Sequence, residues 1–547
     1  MAEITVLLQS ALICAATWFL WRYFRHIFVK SPLDNLPGPP SQSFVKGNLS
    51  QLYDPHGWAF HRELAETYGP VVKLHGMFGR KILHVFDPKA LHAIIVKDQY
   101  VFEEATWFLK TNMLAFGPGL LSTLGDHHRK QRKLLNPVFS INHMRHMLPI
   151  FYEITHKLRD AVASRLQDGP GEVDMLGWMA RTALELIGQG GLGYSFDPLV
   201  EDKADAYGEA VKQYMPTLYS LSLVRWFLPY LTCWGSPAFR RSIVEAISQP
   251  KVQKLKLIIN TMYQRSIDIF EAKKAALQKG DEAILQQVGE GKDIMSILLK
   301  ANMAASADDK LPESELIAQM STLTFAAMDT TSNALAQTLH LLAQHPDVQE
   351  KLRKEILEAQ ENGEDIPYDE LTRLPYLDAV CRESLRLHAP APMLFRETRK
   401  DTILPLSEPI CGVDGSMISE ILVPKDTTVH IGIMSSNCNR ALWGDDAYKW
   451  KPERWLAPLP HAVEDAHIPG VYSNLMTFLG GGRACIGFKF SQLEMKVVLS
   501  LLIASFTFEL SDKPIVWNLA GVRYPTVGKD SKKPQMPLKV TPLKEDN

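Results

Sequence analysis

The sequence predicts a mainly α fold with small β-sheets (α+β), and three observations carry that expectation. Long apolar stretches are opened by prolines: Pro312 before Glu313 to Gln344, Pro346 before Asp347 to Gln360, and Pro375 before Tyr376 to His388. Each proline sits near a helix N-terminus, where its missing N–H costs little. Strand-like pieces, such as Val71 to His75, Ile82 to Phe86 and Thr428 to Ile433, are shorter and fewer, and the tail beyond Phe506 alternates strand and turn residues. No internal repeat and no second linker divides the chain after Leu36, so residues 41–547 read as one large domain.

From the N-terminus, Ile4 to Trp21 is uncharged and mostly apolar, long enough as a helix to cross a bilayer core of about 30 Å. Arg22, Arg25 and Lys30 follow it and only Glu3 precedes it, which keeps the downstream chain in the cytosol. A cleaved signal peptide is the competing reading, but a basic n-region and a small-residue cleavage site are both missing. Residues 1–30 are therefore expected to be a single-pass anchor. Residues 31–40, with Leu36-Pro37-Gly38-Pro39-Pro40, cannot continue a helix and read as a stiff hinge or a plain linker. Tyr214 to Trp234 is apolar and aromatic enough to dip into a bilayer, or else is an ordinary buried helix pair. Ala272 to Lys292 is polar and reads as a long surface loop with helical ends.

Composition narrows function by exclusion. With 59 Lys+Arg against 61 Asp+Glu there is no broad basic field, so nucleic acid is not an expected partner. The six cysteines are scattered, which argues against structural zinc and against a disulfide scaffold. Any cysteine with a chemical role must act alone.

One does stand in a dense motif. Phe478-Leu-Gly-Gly-Gly-Arg-Ala-Cys485-Ile-Gly487 fits F-x-x-G-x-R-x-C-x-G and is followed by an apolar-periodic helix through Leu493, Val497 and Leu501. A lone thiolate is a strongly donating axial ligand for haem iron, and Cys485 is the candidate. Glycines including Gly481 let backbone approach a porphyrin and aim N–H groups at sulfur, and Arg483 can pair with a propionate. The helix beyond Cys485 turns its positive end to the sulfur, which is expected to lower the thiol pKa, while Phe478 would shield it from water. The bland alternative is an inert buried cysteine in a glycine turn.

On these residues the chain resembles a cytochrome P-450, a haem-thiolate monooxygenase of the membrane-anchored eukaryotic type, over nearly everything after Leu36. The resemblance implies haem b with Cys485 as axial ligand and a cytosolic catalytic domain on the endoplasmic reticulum membrane. It also implies NADPH electrons arriving through a separate NADPH-cytochrome P-450 reductase, with cytochrome b5 as a second donor, and a lipophilic small-molecule substrate. The hinge, Gly125 to Arg129 and Pro534 to Leu538 have a fungal look, which points to secondary metabolism of a terpenoid or sterol-like compound.

Further segments are similar to the family's. Glu383 and Arg386 stand at i, i+3 in an apolar helix and, with Arg454 of Pro452-Glu453-Arg454-Trp455, resemble a structural charge triad. The polar run Asp329 to Asn333 wraps more than one turn, so part of it must face inward. Ala326 to Thr331 resembles the oxygen-activating segment: Ala326 and Thr330 would face the haem, with Thr330 hydrogen-bonding bound oxygen and Asp329 relaying protons. The family often has glycine where this chain has Ala327. Arg132 and Arg396 resemble propionate partners; His128 fits either a propionate hydrogen bond or a plain surface histidine. Arg129 and Lys133 share a helix face and suit an acidic electron donor, with solvated charge as the alternative. By resemblance, Trp107, Phe108, Met113, Phe116, Ala326, Met393, Leu394 and Phe395 line the substrate pocket, which is why the substrate should be greasy. A lipid sensor without turnover, or a reductase-independent enzyme acting on peroxides, would be expected to lack the Asp329-Thr330 pair.

Overall fold

In the computed structural model, described residues are 29–197, 199, 205–279, 291–360 and 363–543, together with residues 10, 13, 14, 17, 18 and 21. In chain order the elements that build and frame the site are β1 (Val71–His75), β2 (Lys81–Val85), β3 (Phe102–Glu104), α1 (Thr106–Phe116), α2 (Gly125–Leu135), α3 (Ile141–Ser164), β4 (Gly171–Asp174), α4 (Met175–Leu186) and α5 (Ala206–Tyr219). They continue as α6 (Pro250–Lys279), α7 (Ile294–Ala304), α8 (Glu313–Gln344), α9 (Pro346–Ala359), α10 (Pro375–Leu387), β5 (Met393–Thr398), β6 (Thr402–Cys411), β7 (Met417–Val423), β8 (Thr428–Gly432) and α11 (Phe488–Ser505). The tail supplies β9 (Phe506–Leu510), β10 (Ile515–Asn518), β11 (Tyr524–Val527) and β12 (Pro537–Pro542).

The α8 helix is the central rod. It has 32 residues without an interior glycine or proline, starts after Pro312, and carries Glu313 and Glu315 in its first turn, where the positive helix end favours them. Against it pack α4, α6 and α11, and nearly every side chain from Leu316 to Leu342 is buried. Pro346 and Pro375 occupy the first turns of α9 and α10, as their sequences indicate.

The largest sheet has the order β1-β2-β8-β5-β3. β2 and β8 run parallel, with Ile82 opposite Thr428; β5 runs antiparallel to β8 and to β3. Register matters here, because the β3/β5 pairing sets Glu104 opposite Arg396. A three-stranded sheet β4-β12-β9 ties the tail to the front of α4, and β6-β7 and β10-β11 form hairpins.

The strand and helix expectations agree with the structure to within about two residues at each end. Two stretches differ. Ala272 to Lys279 continues α6 rather than forming a loop, and 280–290 fall outside the described residues. Tyr214 to Trp234 divides: Tyr214, Leu218 and Tyr219 are buried on α5, whereas Val224, Tyr230, Leu231 and Trp234 are exposed, Trp234 by 75 %. A wholly buried helix pair is therefore not what forms there. The expected span Ile4 to Trp21 lies mostly outside the described residues, and among those that are described no helix is long and apolar enough to cross a membrane.

Candidate functional site

The Phe478–Gly487 loop is a tight return. The Cys485 N–H donates to the Phe478 carbonyl at 2.8 Å, closing the loop behind the sulfur, and Phe478 packs edge-on against Tyr472. The glycines are needed for a reason other than approach to a flat ligand. A Cβ on Gly480 would lie 1.6 Å from the Pro469 carbonyl oxygen, and one on Gly481, whose φ is +62°, would lie 2.1 Å from that of Ile95. The loop is wedged against its own protein's backbone on both sides.

The backbone N–H of Gly487, the residue capping α11, lies near enough to the sulfur to favour its thiolate. Arg132, on α2, donates to the Ala484 carbonyl at 2.6 Å and places positive charge near the thiol. Against the expectation of a lowered value, burial pushes the Cys485 thiol up, outweighing the Gly487 hydrogen bond and the Arg132 charge. Cys485 is nevertheless an exposed residue although protein surrounds its thiol, so one side of it is left uncovered.

On α8, the stretch from Ser321 to Thr331 is buried except at Ala326, Ala327 and Thr330, which share one face. Thr330 Oγ1 donates to the Ala326 carbonyl at 2.7 Å, leaving its lone pairs free to accept a hydrogen bond. Asp329 points elsewhere. Its carboxylate meets Lys212 of α5 at 2.9 Å and the Asn333 amide at 3.2 Å, and Lys212 also reaches the Ser332 hydroxyl at 3.1 Å. Burial raises the Asp329 pKa, with Lys212 and Asn333 opposing.

A third group gathers beside the cysteine loop, around a cavity of about 110 Å³ lined by His128, Arg129, Arg132, Glu104 and Arg483. Glu104 meets Arg483 at 3.0 Å and Arg396 at 3.4 Å; Arg483 also donates to the Thr123 carbonyl at 2.7 Å. His128 is buried, which removes the surface-histidine reading, and burial beside Arg483 and Arg132 lowers its pKa to about 3, so it is neutral. Arg129 meets Tyr100 and, at 3.1 Å, Asp126, and it remains exposed, so both the docking and the solvated-charge readings stand. Arg132, Arg396 and Arg483 against the one buried carboxylate of Glu104 leave a positive surplus suited to a dianion such as the two propionates of haem.

The triad forms, and it is larger than three residues. Glu383 and Arg386, both fully buried, make a two-pronged pair at 2.8 Å, and Arg454 approaches Glu383 at 3.4 Å. The Trp455 indole and the Lys451 N–H complete the carboxylate's partners, and Arg386 donates to the Asn437 and Ala447 carbonyls. Asn437 accepts from the Met476 N–H at 2.8 Å and donates to Thr477, directly before Phe478. The buried charge is thus wired into the cysteine loop.

Of the expected pocket residues, Trp107, Phe116, Met393 and Phe395 are buried, Phe108 and Leu394 partly so, and Met113 is 39 % exposed. Trp107 meets Phe395 at 4.7 Å, and Phe116 stacks on Phe325 at 5.0 Å. Sequence reading missed Glu104, Lys212, Asn437 and Thr477. Only a strand register and a helix-to-helix contact bring them to the site, and neither is marked by local spacing.

The arrangement fits haem: an uncovered thiol with a backbone N–H near it, cations beside it, and an open helix face bearing a hydroxyl. The comparisons agree. The family model for Cytochrome P450 matches residues 37–522. The chain is 60 % identical to Cytochrome P450 monooxygenase 91 of Postia placenta, over 98 % of this chain and 99 % of that protein. It is 51 % identical to Ganoderic acid synthetase CYP5150L8 of Ganoderma lucidum, over 97 % and 98 %. A crystal structure of a Cytochrome P450 (CYP102L1) shares the fold with a TM-score of 0.69 at 23 % identity, covering 93 % of this chain and 100 % of that one. With a family model spanning most of its length and relatives of this identity over almost all of it, the chain belongs to the cytochrome P450 family, the monooxygenases that hold haem by a cysteine thiolate.

Proposed function

We propose that the chain inserts one oxygen atom of O2 into a lipophilic small molecule of terpenoid or sterol-like kind. The other oxygen atom leaves as water, and two electrons come from NADPH through NADPH-cytochrome P-450 reductase, cytochrome b5 being a second donor. The observation that carries this reading is the Cys485 thiol, held in its wedged loop beside the Gly487 N–H and left uncovered on one side. Haem bound there supplies the oxygen chemistry. Arg132, Arg396, Arg483 and neutral His128 would hold the propionates, and Glu383, Arg386 and Arg454 fix the loop. The name of the Ganoderma relative supports a terpenoid-like substrate, and the aromatic wall supports a greasy one.

Residues 1–30 act as the membrane anchor, 31–40 as the hinge and 41–547 as the catalytic domain, on the cytosolic side of the endoplasmic reticulum. Exposed Val224, Tyr230, Leu231, Trp234 and Phe239 support a second contact with the bilayer.

The chain's own groups handle protons. Thr330 holds a hydrogen bond at the open face of α8, and Asp329 passes protons inward from Lys212, whose side chain is 12 % exposed. Purified enzyme reconstituted with reductase is expected to shift spectrally and form product from members of a lipid-extract panel only when NADPH and reductase are both present. Product without reductase would overturn the reading. In the same assay Thr330→Ala should keep haem while diverting most NADPH electrons to hydrogen peroxide; unchanged coupling removes Thr330 from proton handling.

Lys212→Met tests the relay. Without its cation the Asp329 carboxylate is buried and less compensated, so its pKa rises further and the group becomes neutral. Turnover is expected to fall about 10²-fold, the low end of the range for a proton-transfer group. A raised carboxyl pKa means the folded state binds more protons, so stability falls as pH rises from the unfolded pKa through the folded one. The variant's stability deficit should therefore narrow toward acidic pH, read by thermal unfolding at several pH values.

A further inference from the structure

Beside the aromatic wall of Trp107 and Trp226 stands a cation that the proposed chemistry does not use. Arg225 ends the short helix Ser222–Arg225. Its guanidinium lies 4.7 Å from the Trp107 ring centroid, and its Nε reaches the Thr111 hydroxyl at 3.3 Å. Among the described residues no carboxylate comes within ion-pair distance of it, and the Thr111 hydroxyl is its one side-chain hydrogen-bond partner.

Its neighbours have the same deficiency. The hydroxyls of Tyr214 and Tyr219 and the indole N–H of Trp107 are buried and have no hydrogen-bond partner. Tyr214 and Tyr219 are close enough to Arg225 to interact with its charge: burial lowers the Arg225 pKa, and these phenols and that of Tyr53 oppose the change. Arg225 is half-buried, and a half-buried cation without a counter-charge beside buried donors without acceptors is costly, more so when several share one site. Indole and guanidinium groups can only donate, and a phenol donates readily. The missing partner is therefore an acceptor carrying negative charge, and the planar guanidinium fork matches the two oxygens of a carboxylate.

The rest of the surroundings is hydrocarbon. Trp226 stacks on Trp107 at 5.5 Å, and Phe116 lies 5.3 Å from Tyr214. An occupant must combine a large apolar body with an acidic end.

We propose that Arg225, with Tyr214, Tyr219 and Trp107 as neighbouring donors, anchors the carboxylate of an amphipathic lipophilic acid, so that the substrate is held by its charged end and oxidised on its hydrocarbon body. This rests on the reading of the chain as a monooxygenase of lipophilic molecules, and it names the class of molecule.

The test is a spectral binding titration of full-length, haem-loaded protein with palmitic acid, methyl palmitate, oleanolic acid and methyl oleanolate. Wild type, Arg225→Gln and Arg225→Lys are compared. In wild type at least one acid is expected to bind about 10- to 100-fold more tightly than its own ester, the value of a hydrogen bond to a charged group. Arg225→Gln should bring that acid to the level of its ester without changing the ester, and Arg225→Lys should keep most of the preference. Absence of acid preference in wild type, or its survival in Arg225→Gln, overturns the anchor. The reduced carbon-monoxide spectrum of each sample separates the two failures: a thiolate-type band with no acid preference sinks only the anchor, whereas absence of that band sinks the monooxygenase reading beneath it.

Discussion

Cys485→Ser is expected to abolish the thiolate-type Soret band of the reduced carbon-monoxide complex completely and to bring product formation to background. A serine hydroxyl is a weak donor that stays protonated, so it can neither balance the iron's charge nor lend it electron density as sulfur does. The surroundings sharpen the expectation. The Gly487 N–H and the Arg132 charge both favour an anionic atom at this position, and burial alone opposes it. A ferric centre held there would supply positive charge that favours the thiolate further. Cys381 and Cys438 are buried and burial holds both thiols protonated, at about 12 and about 11, so neither can substitute. Cys438→Ser should leave the band intact. A normal band in Cys485→Ser would refute the assignment.

Glu383→Ala has the second largest expected effect, and it acts on folding rather than chemistry. Arg386 is fully buried, and loss of its carboxylate leaves an unpaired guanidinium, which costs about 3–5 kcal/mol. That is a large share of the roughly 5–15 kcal/mol by which a domain is stable. The damage should be felt at the sulfur, because the Arg386 contact with Asn437 continues through Met476 and Thr477 into the loop. Haem content after purification and thermal unfolding read the result: little or no haem-loaded protein, melting well below wild type. Glu383→Ala combined with Arg386→Ala should lose less than the sum of the two single changes, since no stranded charge remains. Strict additivity would mean the pair is not coupled.

The parts of the site that were legible in the sequence are those written in local spacing. The cysteine motif, the Glu383/Arg386 pair and the polar turn from Asp329 each occupy one short stretch, and one element then sets their geometry. Roles that depend on two distant stretches were not legible. The function of Gly480 and Gly481 was expected to be ligand approach, but their space is taken by the Pro469 and Ile95 carbonyls, which no periodicity could reveal. Asp329 was expected to relay protons, but no local spacing marked its partner Lys212, more than a hundred residues earlier and brought near by the packing of α5 on α8. Helix boundaries were readable because prolines mark them. The division of Tyr214 to Trp234 into buried and exposed halves was not, since composition is apolar throughout and only tertiary contact decides which face is covered.

The cysteine loop is braced by main chain and by internal charge, whereas the aromatic wall of Trp107, Trp226 and Phe395 is held by side-chain packing. Substitution in that wall therefore need not disturb the loop.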